Sequence, residues 1–374
     1  MNFDFSDEVK LLRGQARRFL SKQAPPAVAR RVLEEPAHFD LPLWQQIAAM
    51  GWLGATVPEA YGGYGLGYEG LCVLAEELGR VVAPVPFASS VYLVTEAILR
   101  HGSDGQKAVW LPRLVSGEAI GTFALAEGIG NPRLTAVRAH VKDGRLRGTK
   151  WPVAGGNVAD FAVVVARDAD GIPGLYLVDL TGSEVQRTAL ETIDPTRGHS
   201  RVEFADAPAE RLAAGRAGWS AVEQLLERAA ALLAFEQIGG ATACLEMATA
   251  YAKERYAFGR PIGSFQAIKH KLADVYIATE LARSNCYFGV WALSSEAPEL
   301  PLAAAAARVS SIDAYHLAAK ENIQVHGGMG FTWELDCHLY YRRAKSLALE
   351  LGSAAYWKDR LVTHLANAGA PVSH

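Results

Sequence analysis

The hydrophobic pattern of this 374-residue chain changes its period twice, and this change limits the folds that the chain can adopt. Apolar residues recur at helical spacing up to about residue 118 and again after about residue 219. Between these stretches, short β-branched and aromatic runs such as Val163–Val165 alternate with Gly, Asp and Pro. The pattern predicts a helical domain over residues 1–118, a small β domain over 119–212 and a second helical domain over 213–374.

Several helix boundaries can be read from the residues. Ser6 is placed to cap the first helix, and the Pro25-Pro26 pair ends that helix. Ala221–Lys253 reads as one long helix, rich in Ala and Leu, that is apolar enough for the core of a bundle. Leu302–His326 reads as another long helix, followed by a Gly-rich turn and a last helical stretch from about Asp336.

The segment Tyr251–Ala273, YAKERYAFGRPIGSFQAIKHKLA, contains a helix end, a break rich in Gly and Pro, and a new helix start. The break brings Arg255, Phe258 and Gln266 around one short turn. A guanidinium beside a helix start offers a bidentate donor and free backbone N–H groups, which suit a phosphate. A ring and an amide suit the flat, polar remainder of a nucleotide. The alternative is an ordinary αα-corner with a solvated basic face, and these residues alone favour that alternative.

Two motifs add a resemblance to this segment. Arg255-x-x-Phe-Gly-Arg-Pro-Ile-x-x-Phe-Gln266 resembles the signature of the acyl-CoA dehydrogenase family. Gln324-Val-His-Gly-Gly-Met-Gly-Phe-Thr-Trp-Glu334 resembles a later segment of the same family. The similarity extends through nearly the whole chain in the order and spacing of that family. It implies a mainly helical mixed fold, with an N-terminal helical domain, a middle β-barrel or sandwich and a C-terminal four-helix bundle.

The resemblance also implies a reaction and partners. Enzymes of this family oxidise the bond between the α and β carbons of an acyl-CoA thioester. A glutamate removes the α proton, the β carbon gives a hydride to FAD, and hydrogen bonds stabilise the charge on the thioester oxygen. Electrons then pass to an electron-transfer flavoprotein. The expected protein is a homo- or hetero-oligomer, either a dimer or a tetramer.

The resemblance assigns cofactor-binding roles to two sets of residues. Arg255 would bind the FAD diphosphate, and Phe258 and Gln266 would lie beside the adenosine half. The backbone of three further residues would approach the same half closely: Gln324, Gly327 and Gly328. In the family, all of these groups reach across a dimer interface to the neighbour's FAD. The flavin-ring side would be formed by Phe123, Leu125, Ala126, Pro152 and Ala154. A helix C-cap at Gly327-Gly328 is an alternative that is compatible with binding, and His326 is expected to be a packed, hydrogen-bonded residue.

The flavin-ring side departs from the family pattern. Ala126 and Ala154 stand where the family has threonine hydroxyls, and Pro132 replaces a serine. Backbone groups could still hold the ring, so FAD remains the expected cofactor.

The catalytic base is also missing from its usual position. Leu351 occupies the commonest position of the catalytic glutamate, and Ala229 occupies the position used by a minority of the family. On a helix, Glu350 would be turned by about 100° from the required direction. Glu236 lies on the same helix face as Ala229, about 10.5 Å along the axis, and is the candidate base. Burial would raise its pKa, and the alternative is a structural ion pair with a neighbouring cation.

The departures form a pattern. Groups that would serve a neighbour's FAD are present, whereas groups for the chain's own flavin ring and base are reduced. The chain therefore resembles the subunits of bacterial heteromeric acyl-CoA dehydrogenases that act on steroid side chains or dicarboxylic acyl-CoAs. The alternatives are a non-catalytic partner subunit that completes the FAD site of a catalytic one, and another flavin chemistry on the same fold.

Composition limits the remaining classes. The net charge of −3 gives no basic surface for nucleic acid, and no apolar run approaches the roughly 18 residues of a membrane span. The acidic, polar start is unlike a signal or transit peptide. Four scattered cysteines without CxxC spacing indicate reduced thiols in a cytoplasmic protein.

No metal site is expected, because Asp336-Cys337-His338 are sequence neighbours that cannot easily converge on one ion. Gly65-x-Gly-x-x-Gly70 is not a dinucleotide fingerprint, because no strand precedes it.

Overall fold

The computed structural model describes residues 5–34, 39–212 and 218–368. The predicted boundary at residue 213 lies outside these ranges. The described residues form two compact units. The helical unit comprises the residues up to Arg30, Tyr68–Ala83 and the residues from Ala230 onward, and the β-containing unit comprises the remainder. The division into three domains stays a prediction.

The described residues form eleven α-helices. In chain order these are α1 (Asp7–Gln23), α2 (Pro26–Glu34), α3 (Leu41–Ala49), α4 (Gly67–Arg80), α5 (Glu96–His101), α6 (Asp104–Val115), α7 (Trp219–Glu254), α8 (Gln266–Ser294), α9 (Leu300–His326), α10 (Cys337–Leu347) and α11 (Ala354–Ala368). The predicted cap is confirmed, because the Ser6 hydroxyl accepts a hydrogen bond from the Val9 N–H at 3.3 Å. A π-helical segment, Ala88–Thr95, precedes α5, and 3₁₀ turns precede α4, which agrees with rejecting a dinucleotide fingerprint there.

The helical unit is organised around α9. Helix α8 packs along α9, and α10 and α11 pack on it as well. The second half of α7 reaches α9 where Gly240 lies directly against the Tyr315 ring. The side chains of Tyr315 and Trp357 are almost fully buried. The expected mainly helical fold is confirmed.

Helices α4 and α7 approach each other through two glycines. A Cβ atom added at Gly239 would lie 1.9 Å from the carbonyl oxygen of Glu76, and one added at Gly79 would lie 1.9 Å from that of Glu236. Backbone therefore packs directly on backbone at this crossing. A side chain at either position requires the two helices to move apart.

We expect Gly239→Ala to lower the free energy of unfolding by about 1–3 kcal/mol or more, as overpacking does in a close-packed core. Urea denaturation measures the change. Gly14→Ala in α1 is the matched control, because a Cβ there meets only the end of the Arg18 side chain at 3.6 Å. Alanine's better helix propensity should make that variant neutral or slightly more stable. Equal stabilities of the two variants would contradict the direct helix contact.

The β-containing unit holds one eight-stranded sheet. Its strands are β1 (Gly121–Ala124), β2 (His140–Lys142), β3 (Arg145–Ala154), β4 (Phe161–Arg167), β5 (Pro173–Asp179), β6 (Val185–Leu190), β7 (His199–Pro208) and β8 (Glu210–Arg211). The order is β6-β7-β3-β2-β4-β5-β8, and β1 pairs in parallel with β4. This confirms the predicted sheet in the middle of the chain. Strand β6 gave no sequence signal because its central residues are all exposed and do not alternate.

Candidate functional site

The break after α7 is a small hairpin. Strands β9 (Tyr256–Ala257) and β10 (Arg260–Pro261) pair antiparallel. Between them, Phe258 and Gly259 have φ angles of 53° and 77°, as a two-residue type I′ turn requires. The Ile262 N–H donates to the Arg255 carbonyl at 2.8 Å and closes the loop. A 3₁₀ turn, Ile262–Ser264, then leads into α8.

Aromatic and cationic side chains cover this hairpin. The Arg260 guanidinium lies 4.1 Å from the centroid of the Phe265 ring, and the Phe258 ring meets Phe265 edge-on at 6.2 Å. Phe258 nevertheless remains 95% exposed. An apolar ring presented to solvent at a strained backbone position is typical of a surface that contacts another molecule.

The start of α8 is open. Its cap residue, Phe265, makes no side-chain capping hydrogen bond, and the first turn contains no acidic residue. The first N–H groups of a helix carry partial positive charge. Arg255 and Gln266 are both exposed beside this end. The arrangement favours a bound anion such as a phosphate.

The second motif surrounds the end of α9. The Gly327 N–H donates to the Gln324 carbonyl as the C-cap of this helix. A helix C-cap at Gly327-Gly328 was the structural alternative to a binding role, and it is compatible with binding. A Cβ added at Gly327 or Gly328 would meet nothing within 4 Å, so the backbone there is open to a close approach. His326 packs as expected: its Nδ1 lies 2.8 Å from the Asn322 carbonyl, and its ring stacks on Tyr251.

An apolar cluster brings the two motifs together. Ala248 and Ala252 from α7 pack with Val325 from α9. Four partly buried residues complete the cluster: Tyr251, Ile262, Ile268 and Leu272. The cluster joins the end of α7, the 3₁₀ turn after the hairpin, the start of α8 and the end of α9. We call the surface formed by Arg255, Phe258, Gln266, Gln324, Gly327 and Gly328 the nucleotide corner.

The predicted flavin-ring segments lie side by side in the β-containing unit. The Thr122 hydroxyl, next to Phe123 in β1, donates to the Ala154 carbonyl at 2.7 Å. The Trp151 N–H donates to the Ala126 carbonyl at 2.8 Å, and the Gly128 N–H donates to the Trp151 carbonyl at 2.9 Å. Leu125 is partly exposed beside Ala126, and Pro152 in β3 is exposed. These hydrogen bonds hold the segment that contains Phe123, Leu125 and Ala126 beside the β3 segment that contains Pro152 and Ala154.

A buried ion pair beneath these segments was missed by the sequence reasoning. Lys150 is completely buried, and its Nζ lies 2.6 Å from Glu127 Oε1. Burial lowers the pKa of Lys150 to about 8, against the opposing effect of Glu127. The signal was present in the alternation of β3, because Leu146 and Lys150 are an even number of residues apart and therefore share its inward face.

The segment that carries Leu351 is a turn. Helix α10 ends at Leu347, and Leu351 and Gly352 have φ angles of 64° and 111°. The prediction that Glu350 is turned by 100° around a helix is therefore wrong, because the chain is not helical there. The fully buried Arg308 donates to the carbonyls of Leu347 and Glu350 and holds this turn. Ala229, at the alternative base position, is buried in α7.

Glu236 lies in the interior of the helical unit. Its carboxylate is 3.4 Å from the Arg343 guanidinium, and the two side chains are 4% and 1% exposed, respectively. Arg343 also donates to the Ala83 carbonyl at 3.4 Å. These contacts favour a structural ion pair between Glu236 and Arg343 over a catalytic role for Glu236. A catalytic role for Glu236 stays a prediction.

A metal site and a membrane-spanning helix were also searched for among the described residues. Among residues 5–34, 39–212 and 218–368, no group of three or more His, Cys, Asp and Glu side chains is arranged to hold a metal ion. No helix in the same ranges has the length and apolar character needed to cross a membrane. All four cysteines are free and buried.

Comparisons with known proteins agree with this arrangement. The family model for the acyl-CoA dehydrogenase N-terminal domain matches residues 6–118, and that for the C-terminal domain matches residues 216–365. Acyl-CoA dehydrogenase IpdE2 of Mycobacterium tuberculosis is 33% identical over 93% of this chain and 94% of its own length. Acyl-CoA dehydrogenase FadE34 of the same organism is 34% identical over 96% of this chain, which spans 47% of FadE34.

Solved structures of heteromeric enzymes are also similar. A variant of the steroid acyl-CoA dehydrogenase Tcur3481–Tcur3483 superposes with a TM-score of 0.88 at 33% identity, covering 98% of this chain and 99% of that one. The ChsE4–ChsE5 complex of Mycobacterium tuberculosis has a TM-score of 0.90 at 29% identity, with both chains fully covered. The chain therefore belongs to the acyl-CoA dehydrogenase family, whose members are FAD-dependent oxidoreductases acting on CH–CH donors.

Proposed function

We propose that this protein is an FAD-dependent acyl-CoA dehydrogenase that introduces an α,β double bond into an acyl-CoA thioester, working as one subunit of an oligomer. The observation that carries the proposal is the nucleotide corner, where Arg255, an open helix start and two unobstructed glycines lie on segments that pack into one apolar cluster. Such a surface fits the diphosphate and adenosine half of FAD.

The chain's own residues would hold and orient the cofactor. Arg255 supplies a charged bidentate donor, and the first N–H groups of α8 add neutral donors. The openness of Gly327 and Gly328 allows the backbone to approach the cofactor closely. FAD, when bound, supplies the hydride acceptor. We propose that the corner serves the FAD of an adjoining protomer.

The proposed substrate and partners are inferred from the similar proteins. We propose an acyl-CoA from a steroid side chain as the substrate class, supported by the 33% identity to a steroid acyl-CoA dehydrogenase. A hetero-oligomeric partner is supported by the likeness to the ChsE4–ChsE5 complex. An electron-transfer flavoprotein is the proposed acceptor of the electrons. The four free, buried cysteines support a cytoplasmic location.

A second candidate function is a non-catalytic subunit that completes the FAD site of a catalytic partner. It is favoured by Leu351, which stands in the α10–α11 turn where the resemblance places the base. Ala229 likewise offers no carboxylate at the other base position. In this case the chain would lend its nucleotide corner and perform no proton abstraction of its own.

Flavin absorbance and acyl-CoA reduction separate the two candidates. We expect the purified assembly to contain FAD, and its flavin bands to bleach when a steroid side-chain acyl-CoA is added. A lone homo-oligomer that contains FAD and bleaches would identify the chain as catalytic. If FAD and bleaching appear only after a partner subunit co-purifies, the assembly is a hetero-oligomer, and fewer FAD molecules than chains would favour the non-catalytic subunit. A colourless assembly that takes up no added FAD would contradict both.

A further inference from the structure

The Lys150–Glu127 pair connects three segments of the β-containing unit. The Lys150 ammonium contacts the Leu125 carbonyl at 3.1 Å and Glu127 Oε1 at 2.6 Å. The Glu127 carboxylate in turn accepts hydrogen bonds from the N–H groups of Arg138 at 2.9 Å and Ala139 at 3.0 Å. Strand β3, the segment after β1 and the residues before β2 therefore meet at two charged side chains.

The pair determines the direction of one peptide group. The Leu125 carbonyl points toward Lys150, and in a planar trans peptide the following N–H points the opposite way. The Ala126 N–H is therefore held facing away from Lys150. The Ala126 carbonyl is fixed separately by the Trp151 N–H at 2.8 Å. The peptide groups before and after Ala126, where the family hydroxyl is missing, are therefore oriented by Lys150 and Trp151 of β3.

A gain in folding stability does not explain why Lys150 and Glu127 are buried as an ion pair with these hydrogen-bond partners. Desolvating two charges offsets most of their attraction, and well-packed apolar side chains of similar volume are often equally stable. Apolar side chains could not direct the Leu125 carbonyl or bind the two N–H groups at residues 138 and 139. The specific effect of the pair is therefore geometric.

We propose that Lys150 and Glu127 are positioning residues for the flavin ring, holding the Leu125–Ala126 peptide so that its N–H stays available as a donor to the ring although the hydroxyl at residue 126 is missing. The inference rests on the proposed function. It explains how segments that lack the threonine side chains of the family retain an ordered surface for the ring. Neither residue touches the substrate in this role.

The test compares Lys150→Met, the double variant Lys150→Met/Glu127→Met, and Lys142→Met as a control. Lys142 lies in neighbouring β2 and is exposed. The readouts are amide hydrogen exchange of residues 125–128, 138 and 139 in the full chain, FAD affinity of the assembly, and the flavin absorption spectrum. The double variant removes both charges, so a loss caused only by an unpaired buried carboxylate should be restored in it.

We expect Lys150→Met to accelerate exchange in residues 125–128 and to weaken FAD binding, each by about tenfold or more. The flavin spectrum should move toward that of free FAD, and the double variant should regain thermal stability without regaining the spectrum. Lys142→Met should match the wild type. The inference is overturned if the double variant shows wild-type FAD affinity, spectrum and exchange.

Failure of the proposed function gives a different result. A wild-type assembly that holds no FAD would remove the flavin role of the pair and the proposed function together. A wild-type assembly that binds FAD, with Lys150 variants that bind it unchanged, would overturn the role of the pair alone.

Discussion

Replacement of Arg255 by methionine is expected to weaken FAD binding to the assembled protein by about 10- to 100-fold. A hydrogen bond to a charged group contributes roughly 1.5–3 kcal/mol, which corresponds to this range of affinity. Arg255 is exposed next to the open start of α8, so its removal should leave the fold intact. Titration of the flavin-free assembly with FAD, followed by fluorescence, measures the change.

The matched control for this variant is Arg18→Met, because Arg18 is an exposed arginine on α1 of the same helical unit. It should bind FAD with wild-type affinity. The thermal stabilities of both flavin-free variants should also equal that of the wild type, since surface substitutions away from special features change stability little. If Arg255→Met binds FAD normally, the guanidinium does not contact the diphosphate, and the nucleotide corner loses its assigned ligand.

Replacement of Arg343 by methionine is expected to lower the free energy of unfolding by about 3–5 kcal/mol. The change removes a cation that lies 3.4 Å from the buried Glu236 carboxylate, and removing one partner of a buried ion pair carries a penalty of this size. Glu236→Gln should also destabilise the protein, because it removes the carboxylate charge beside the buried Arg343 guanidinium. The double variant Glu236→Leu/Arg343→Met should regain most of the stability, since neither charge remains. Urea denaturation measures all three variants.

The same double variant decides the role of Glu236. If the pair is structural, the double variant will fold, load FAD in its assembly and keep acyl-CoA turnover near the wild-type level. If Glu236 is the base, the variant will load FAD but lose turnover by about 100-fold or more, as removal of a general base does. Loss of turnover in a stable, flavin-loaded double variant would therefore contradict the structural assignment.

The helices could be predicted well because their signals are local. The pattern predicts α7 over Ala221–Lys253, and the helix spans Trp219–Glu254; the cap at Ser6 likewise depends on residues within one turn. The pattern also predicts one continuous helical stretch from about Asp336, yet α10 and α11 are separate. The break occurs where Leu351 adopts a left-handed conformation, which is uncommon for a leucine and could not be read from its neighbours.

The nucleotide corner could be proposed from sequence because each of its two motifs is contiguous. Their convergence depends on packing between α7, α8 and α9, which only the structure describes. The partners of buried charges were not predictable in the same way. Glu127 and Lys150 are 23 residues apart in the sequence, and Glu236 and Arg343 are 107 apart. No local pattern specifies such pairs, although the alternation in β3 did indicate that Lys150 faces inward.

The distance between the Arg255 guanidinium and the diphosphate of FAD, measured in a structure of the flavin-loaded assembly, tests the central claim most directly. We predict that the guanidinium lies within hydrogen-bonding distance, about 2.7–3.2 Å, of a diphosphate oxygen of an FAD whose flavin ring is held by the adjoining protomer. An FAD diphosphate bound elsewhere, with the nucleotide corner facing solvent or covered only by protein side chains, would contradict the claim.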